Sequence, residues 1–284
     1  MLMSAAFFVT LGALLRGGAF KPATLGRGPK RDVGMDLRDL LFGMMAYFGG
    51  MLLQSLVLVA WLGFSVDPDS VPAAIEAMSP TEQAALGLVG QLTMWAPAVG
   101  YLLWRLKSSG YLRLGGVVPR HPLRDLGVGA LGVWVAYILT WGMGVVTVLI
   151  IRLAGSEPPD HGHETLRMMA EADSIMVTVL LTVSAVVVAP IAEEFFFRGL
   201  LQTGLQSALG HDKRWLSILP VAVFFGLVHV GAVPWAMVPL LVLLGVIFGW
   251  VYERTGSLWC AVLVHAGYNG LSILLSHLQH AGGG

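Results

Sequence analysis

Long runs without a charged side chain are the feature that most constrains the fold of this chain. Asp, Glu, Lys and Arg are absent from residues 40–66, 83–104, 126–151, 174–192, 215–252 and 255–284. A helix needs about 20 apolar residues to cross the hydrocarbon core of a bilayer, and the fifth run is long enough for two. Backbone polar groups in lipid must be paired within their own segment, which favours helices. The sequence therefore predicts an all-α fold, a multi-spanning bundle of transmembrane helices.

Charges between the apolar runs alternate in sign along the chain. Residues 16–39 carry six Lys or Arg against three Asp, and residues 105–125 carry five against one Asp. Residues 65–82 carry four acids and no base, and residues 152–173 carry five acids against two Arg. Because basic loops favour the cytoplasm, the first two segments are expected inside and the other two outside.

This alternation predicts about eight spans. They lie near residues 2–15, 41–64, 84–104, 126–151, 174–206, 215–231, 235–252 and 257–277. We interpret residues 1–125 as scaffold helices, 126–277 as the core that holds the chemistry, and 278–284 as a disordered tail. Residues 1–15 lack the basic start of a cleaved signal peptide and are interpreted as a first span or signal anchor.

Three ionisable side chains stand inside an otherwise apolar stretch, in the sequence AEEFFFR. Glu194 and Arg198 are four residues apart, so they share a helical face and can form an ion pair. Glu193 points about 100° away and has no such local partner. An unpaired carboxylate at this depth is costly, which favours a functional role over a structural ion cluster.

Two further apolar segments contain polar side chains at a similar expected depth. VFFGLVHV places His229 on the helical face of Phe225, and SLWCAVLVHAGYNGL places His265 and Asn269 four residues apart. Each histidine alone is compatible with a hydrogen-bonded packing residue. Three polar groups on three spans together indicate a site.

Two kinds of chemistry fit this set of side chains. A glutamate can deprotonate a water molecule, a histidine can orient it, and a second histidine with an asparagine amide can donate hydrogen bonds to an oxyanion. Alternatively, Glu193, His229 and His265 could hold a divalent metal such as zinc. Both mechanisms polarise a water molecule among the same groups and stay open. The glutamate mechanism requires no cofactor.

The motifs EExxxR, FxxxH and HxxxN occur here in that order, as EEFFFR, FGLVH and HAGYN. With the linking GWVYERTGSLW, they resemble the CAAX-processing and bacteriocin-processing family of intramembrane proteases. The resemblance implies that Glu193 is the general base, that His229 orients the water, and that His265 and Asn269 stabilise the oxyanion. Glu194 and Arg198 would support them.

The resemblance implies an endopeptidase that acts on a protein or peptide, such as a C-terminal segment, within the plasma membrane. Its site would open towards the cytoplasm. A net charge of zero indicates no nucleic-acid partner, and the lipid bilayer is the expected surrounding. The alternatives are a non-catalytic membrane protein for immunity or scaffolding and a proton-coupled transporter. Against the transporter, the chain has no inverted repeat.

Overall fold

The computed structural model describes residues 2–26, 28–29, 31–63, 67–119, 121–158, 168–169, 174–210 and 212–282. Within these ranges the chain is helical and forms no β-strand, which confirms the predicted all-α bundle. The ten helices are α1 (Leu2–Arg16), α2 (Pro22–Gly26), α3 (Leu37–Leu62), α4 (Val71–Glu76), α5 (Pro80–Ser108), α6 (Pro122–Leu153), α7 (Ile175–Leu209), α8 (Arg214–Leu227), α9 (Val238–Thr255) and α10 (Leu258–Gly282).

Six of these helices are long and apolar enough to cross a membrane, namely α3, α5, α6, α7, α9 with the turn before it, and α10. The chain is thus an integral multi-pass membrane protein. The shorter apolar helices α1 and α8 coincide with the predicted spans at 2–15 and 215–231, although α8 ends at Leu227. α10 continues to Gly282, past the end predicted at residue 277.

Side-chain caps fix the residues at which α3 and α5 begin. The Asp36 carboxylate accepts hydrogen bonds from the backbone N–H groups of Arg38 and Asp39, and the Asp39 carboxylate accepts one from the Asp36 N–H. Ser79 and Glu82 form the same reciprocal pair at α5. Such capping boxes satisfy N–H groups that a helix leaves unpaired at its start. They set the register of two helices that pack on α7.

α7 lies at the centre of the buried aromatic core. Its residues 195–197 are all phenylalanine and all buried. The ring of Tyr47, from α3, stacks on Phe196 with 4.8 Å between centroids, and Trp95, from α5, lies 5.3 Å from the same ring. Aromatic pairs at such distances add to the stabilisation that burial alone provides. The N-terminal helices therefore support the same segment of α7 that carries the two glutamates.

α7 is not a uniform α-helix. Two π-helical stretches, Ser184–Val188 and Phe195–Gln202, flank the segment Ala189–Glu194. Pro190 explains the first, because proline has no N–H and its ring clashes with the carbonyl four residues earlier. The N–H of Ala189 donates to the Ser184 carbonyl, five residues back. The Ala185 carbonyl is thereby left without a backbone donor from either Ala189 or Pro190.

A buried ion network joins the N-terminal segment to the core at the end of α9. Glu253 is fully buried and pairs with Arg31 and Arg214. Gln202 and Gln206, on α7, donate to its two carboxylate oxygens at 2.9 and 3.0 Å. Burying charges is tolerable only when they are paired and hydrogen-bonded. The segment around Arg31, interpreted from its charge as a loop, is therefore anchored inside the protein.

Replacing Glu253 with glutamine is expected to lower the free energy of unfolding by about 3–5 kcal/mol, because two buried guanidinium groups lose a charged partner. Thermal and denaturant unfolding of the detergent-purified protein would measure the change. Glu76→Gln removes an exposed carboxylate and serves as the control. Equal stability of the two variants would contradict the structural role assigned to Glu253.

Candidate active site

Glu194 and Arg198 form the ion pair that their spacing predicts. Both side chains are fully buried, and Arg198 Nη1 donates to Glu194 Oε1 at 3.1 Å. Arg198 Nη2 donates to the carbonyl of Gly245, on α9, at 2.9 Å. The guanidinium also lies over the ring of Phe225, 4.9 Å from its centroid. Arg198 thus connects α7 with α8 and α9.

His265 also contacts Glu194, from α10. Its Nδ1 lies 2.9 Å from Glu194 Oε1, the same oxygen that accepts from Arg198. The imidazole stacks on Phe248 at 4.7 Å with 19° between the ring planes. The position of the ring is therefore fixed both by this stacking and by the contact with Glu194. Sequence spacing had not indicated that Glu194 would be shared between an arginine and a histidine. Glu194 therefore orients a predicted site residue as well as neutralising Arg198.

His229 lies just beyond the end of α8 and faces the other glutamate, Glu193. Its Nδ1 is 2.7 Å from the carbonyl oxygen of Phe225, which can only accept, so Nδ1 carries the hydrogen. In the neutral ring, Nε2 is then an acceptor, and it lies 3.9 Å from Glu193 Oε2. Within the described part of the chain, Glu193 Oε2 is buried and has no hydrogen-bond partner. Two acceptors therefore face each other across a narrow gap.

Asn269 is bound to the backbone of α7. Its Nδ2 donates to the Ala185 carbonyl at 2.8 Å, the group that the π-helical turn before Pro190 leaves without a backbone donor. One amide hydrogen is therefore committed to holding α10 against α7. The second hydrogen of Nδ2 is available to another acceptor.

The three side chains that the sequence suggests as metal ligands take part in two separate contacts. Glu193 faces His229, whereas His265 is bonded to Glu194. Among the residues that the structure describes, no group of three or more His, Cys, Asp or Glu side chains is arranged to hold a metal ion. The donor set thus does not converge on one centre as zinc ligation requires.

Tyr47 was missed by the sequence reasoning, which assigned the first 125 residues to scaffold. Its side chain is buried and stacks on Phe196, three residues after Glu193 in α7. A single tyrosine in an apolar run carries no sequence signal that separates this position from an ordinary membrane tyrosine. Only the packing of α3 on α7 reveals that Tyr47 borders the site.

A segment within the C-terminal half of the chain matches a known family model. Residues 175–271 match the family model described as Type II CAAX prenyl endopeptidase Rce1-like. The matched segment contains the predicted site residues, namely Glu193, Glu194, Arg198, His229, His265 and Asn269. No curated protein and no solved structure matches the chain. The family predicted from the three motifs is thereby confirmed as a similarity over residues 175–271, a segment that matches the Rce1-like family of CAAX prenyl endopeptidases.

Proposed function

We propose that this protein is an intramembrane endopeptidase in which Glu193 activates the water that attacks a peptide bond. The observation that carries the proposal is the pair of facing acceptors, Glu193 Oε2 and His229 Nε2, 3.9 Å apart. Both side chains are largely buried, and both lie in the segment that matches a peptidase family. Membrane-embedded ionisable groups of this kind are functional by default.

The gap between the two acceptors suits one water molecule. A water about 2.8 Å from both atoms can donate one hydrogen to each, because 2.8 Å is a normal O–H hydrogen-bond length. As the water attacks the carbonyl carbon, Glu193 takes its proton and can pass it to the leaving amine. His229, fixed through Phe225, would keep the oxygen lone pair directed at the substrate.

The developing oxyanion needs hydrogen-bond donors on the opposite side. Asn269 has its second Nδ2 hydrogen for this role. His265, held through Nδ1 by Glu194, would donate to the oxyanion from Nε2. Arg198 would hold Glu194 in place for that task. A metal-assisted version with Glu193, His229 and His265 as ligands would require these side chains to rearrange.

The expected substrate is a protein or peptide segment, such as a C-terminus, that reaches the site from the cytoplasmic side of the plasma membrane. The basic segments at residues 16–39 and 105–125 support that orientation.

A comparison of membrane proteomes from cells with wild-type protein or Glu193→Gln would test the function. We expect new peptide termini that appear with the wild-type protein and not with Glu193→Gln. Adding a chelator to the same assay tests whether cleavage needs a metal. Proton-dependent flux in vesicles that is lost in Glu193→Gln, with no cleavage, would instead identify a transporter. A phenotype that survives substitution of Glu193, His229 and His265 would identify a non-catalytic protein.

A further inference from the structure

A cavity of about 490 Å³ lies between α1, α6 and α9, separate from the candidate active site. Every lining residue is apolar or aromatic; among them are Phe7, Leu14, Leu131, Val135, Val246 and Trp250. On α9 the lining residues Leu243, Val246 and Trp250 lie on the helical face away from Phe248, which stacks on His265. The cavity and the glutamates are therefore on different sides of this helix.

The cavity opens onto the outer, lipid-facing surface of the bundle. Leu131 is 65% exposed and Val146 47% exposed, although both line it. Along α9 the lining extends from Leu243 to Val251, about 12 Å at 1.5 Å per residue. That length is close to half of a hydrocarbon core of about 30 Å. An apolar chain from a single leaflet would fit this length.

One end of the cavity is basic. Lys21 follows the lining residue Phe20 and packs its methylene groups against Gly18. The Arg254 guanidinium lies 5.9 Å from the centroid of the Trp250 ring and donates to the Thr24 carbonyl at 2.6 Å. Two further exposed cations are close in sequence to lining residues: Arg16 follows Leu14, and Lys213 precedes Trp215. Asp212 is an acidic neighbour of Lys213. No acidic residue precedes residue 32.

We infer that this cavity binds an anionic glycerophospholipid of the bilayer, with one acyl chain in the cavity and its phosphate at the basic end. The apolar lining accepts hydrocarbon, the exposed side admits it from the membrane, and the cations complement the phosphate. Basic pockets between transmembrane helices are known recognition sites for acidic headgroups. The lining residues Trp215 and Trp250 suit the headgroup level of a membrane. The bound lipid would hold the short helix α1 against α6 and α9.

Native mass spectrometry of the full-length protein, purified in detergent, would test this inference. Titration with phosphatidylglycerol is expected to give one saturable adduct, and titration with phosphatidylcholine a much weaker one. The double variant Arg16→Gln/Lys21→Gln should weaken phosphatidylglycerol binding about 30-fold, the effect expected for two cations near a headgroup. Leu131→Trp, at an exposed lining position, should fill the cavity and reduce the binding of both lipids.

The matched control is Arg38→Gln/Lys107→Gln, which removes two exposed cations from the same predicted cytoplasmic side, outside the cavity lining. It should bind phosphatidylglycerol as the wild type does. Gel filtration and the unfolding temperature without added lipid would show that each variant is folded. Equal affinity for the two lipids, several equivalent adducts, or equal losses in the two double variants would mean surrounding lipid only and would overturn the inference.

Discussion

Cleavage is expected to slow by about 10²- to 10⁴-fold when Glu193 is replaced with glutamine, the range typical for loss of a general base. Glutamine keeps the shape of the side chain but cannot take a proton from water. Folding should be unaffected, because Glu193 Oε2 has no hydrogen-bond partner to lose within the described structure. The measurement is the cleavage rate of a substrate found by the proteome comparison, together with the unfolding temperature.

Two further variants sharpen that result. Glu193→Asp keeps a carboxylate but shortens the side chain, so it should retain more activity than Glu193→Gln. His229→Ala should also slow cleavage, because the water would lose one of its two acceptors. Wild-type rates in Glu193→Gln would refute the proposed mechanism. Loss of activity together with loss of folded protein would assign Glu193 a structural role instead.

Glu194→Gln is expected to lower both stability and activity, in contrast to Glu193→Gln. It leaves the Arg198 guanidinium fully buried without its carboxylate, and breaking a buried pair from one side costs about 3–5 kcal/mol. Activity should fall as well, since His265 loses the oxygen that Nδ1 faces at 2.9 Å. Unfolding in detergent and cleavage by the folded fraction measure the two effects separately.

The double variant Glu194→Gln/Arg198→Gln separates the two roles of Glu194. With both charges removed, much of the stability should return, because no guanidinium is left buried without its carboxylate. Activity should stay low, since the carboxylate facing His265 is still absent. Full activity in the double variant would show that Glu194 serves only to neutralise Arg198. Wild-type stability of the single variant would contradict the buried ion pair.

Helix type, the order of the spans and the Glu194–Arg198 pair were predictable because each depends on local spacing or on the cost of charge in lipid. The contact of His265 with Glu194 was not. Adjacent glutamates point in directions about 100° apart around the helix axis, which is one step of helical phase. Only the packing of α10 on α7 determines which of them a histidine contacts. The π-helical stretches also alter that phase on both sides of Ala189–Glu194.

The Arg31–Glu253 pair shows a different limit of sequence reasoning. Counting charges in residues 16–39 correctly describes a basic segment, but such a count treats every cation as solvated. Arg31 is instead 1% exposed, with its partner 222 residues away in the chain. No local pattern identifies a partner at that separation, because the pairing depends on how the N-terminal segment folds under α9. Tyr47 went unrecognised for the same reason.

Pro190 lies three residues before Glu193 and is assigned no part in the chemistry, yet the arrangement of α7 and α10 depends on it. By removing a backbone donor it creates an unmet carbonyl at Ala185, and Asn269 is the side chain that satisfies this carbonyl. α10 is therefore held along α7 in the register in which the Asn269 amide contacts the Ala185 oxygen. Pro190, an imino acid, thus sets the distance between the Glu193 carboxylate on α7 and the Asn269 amide on α10.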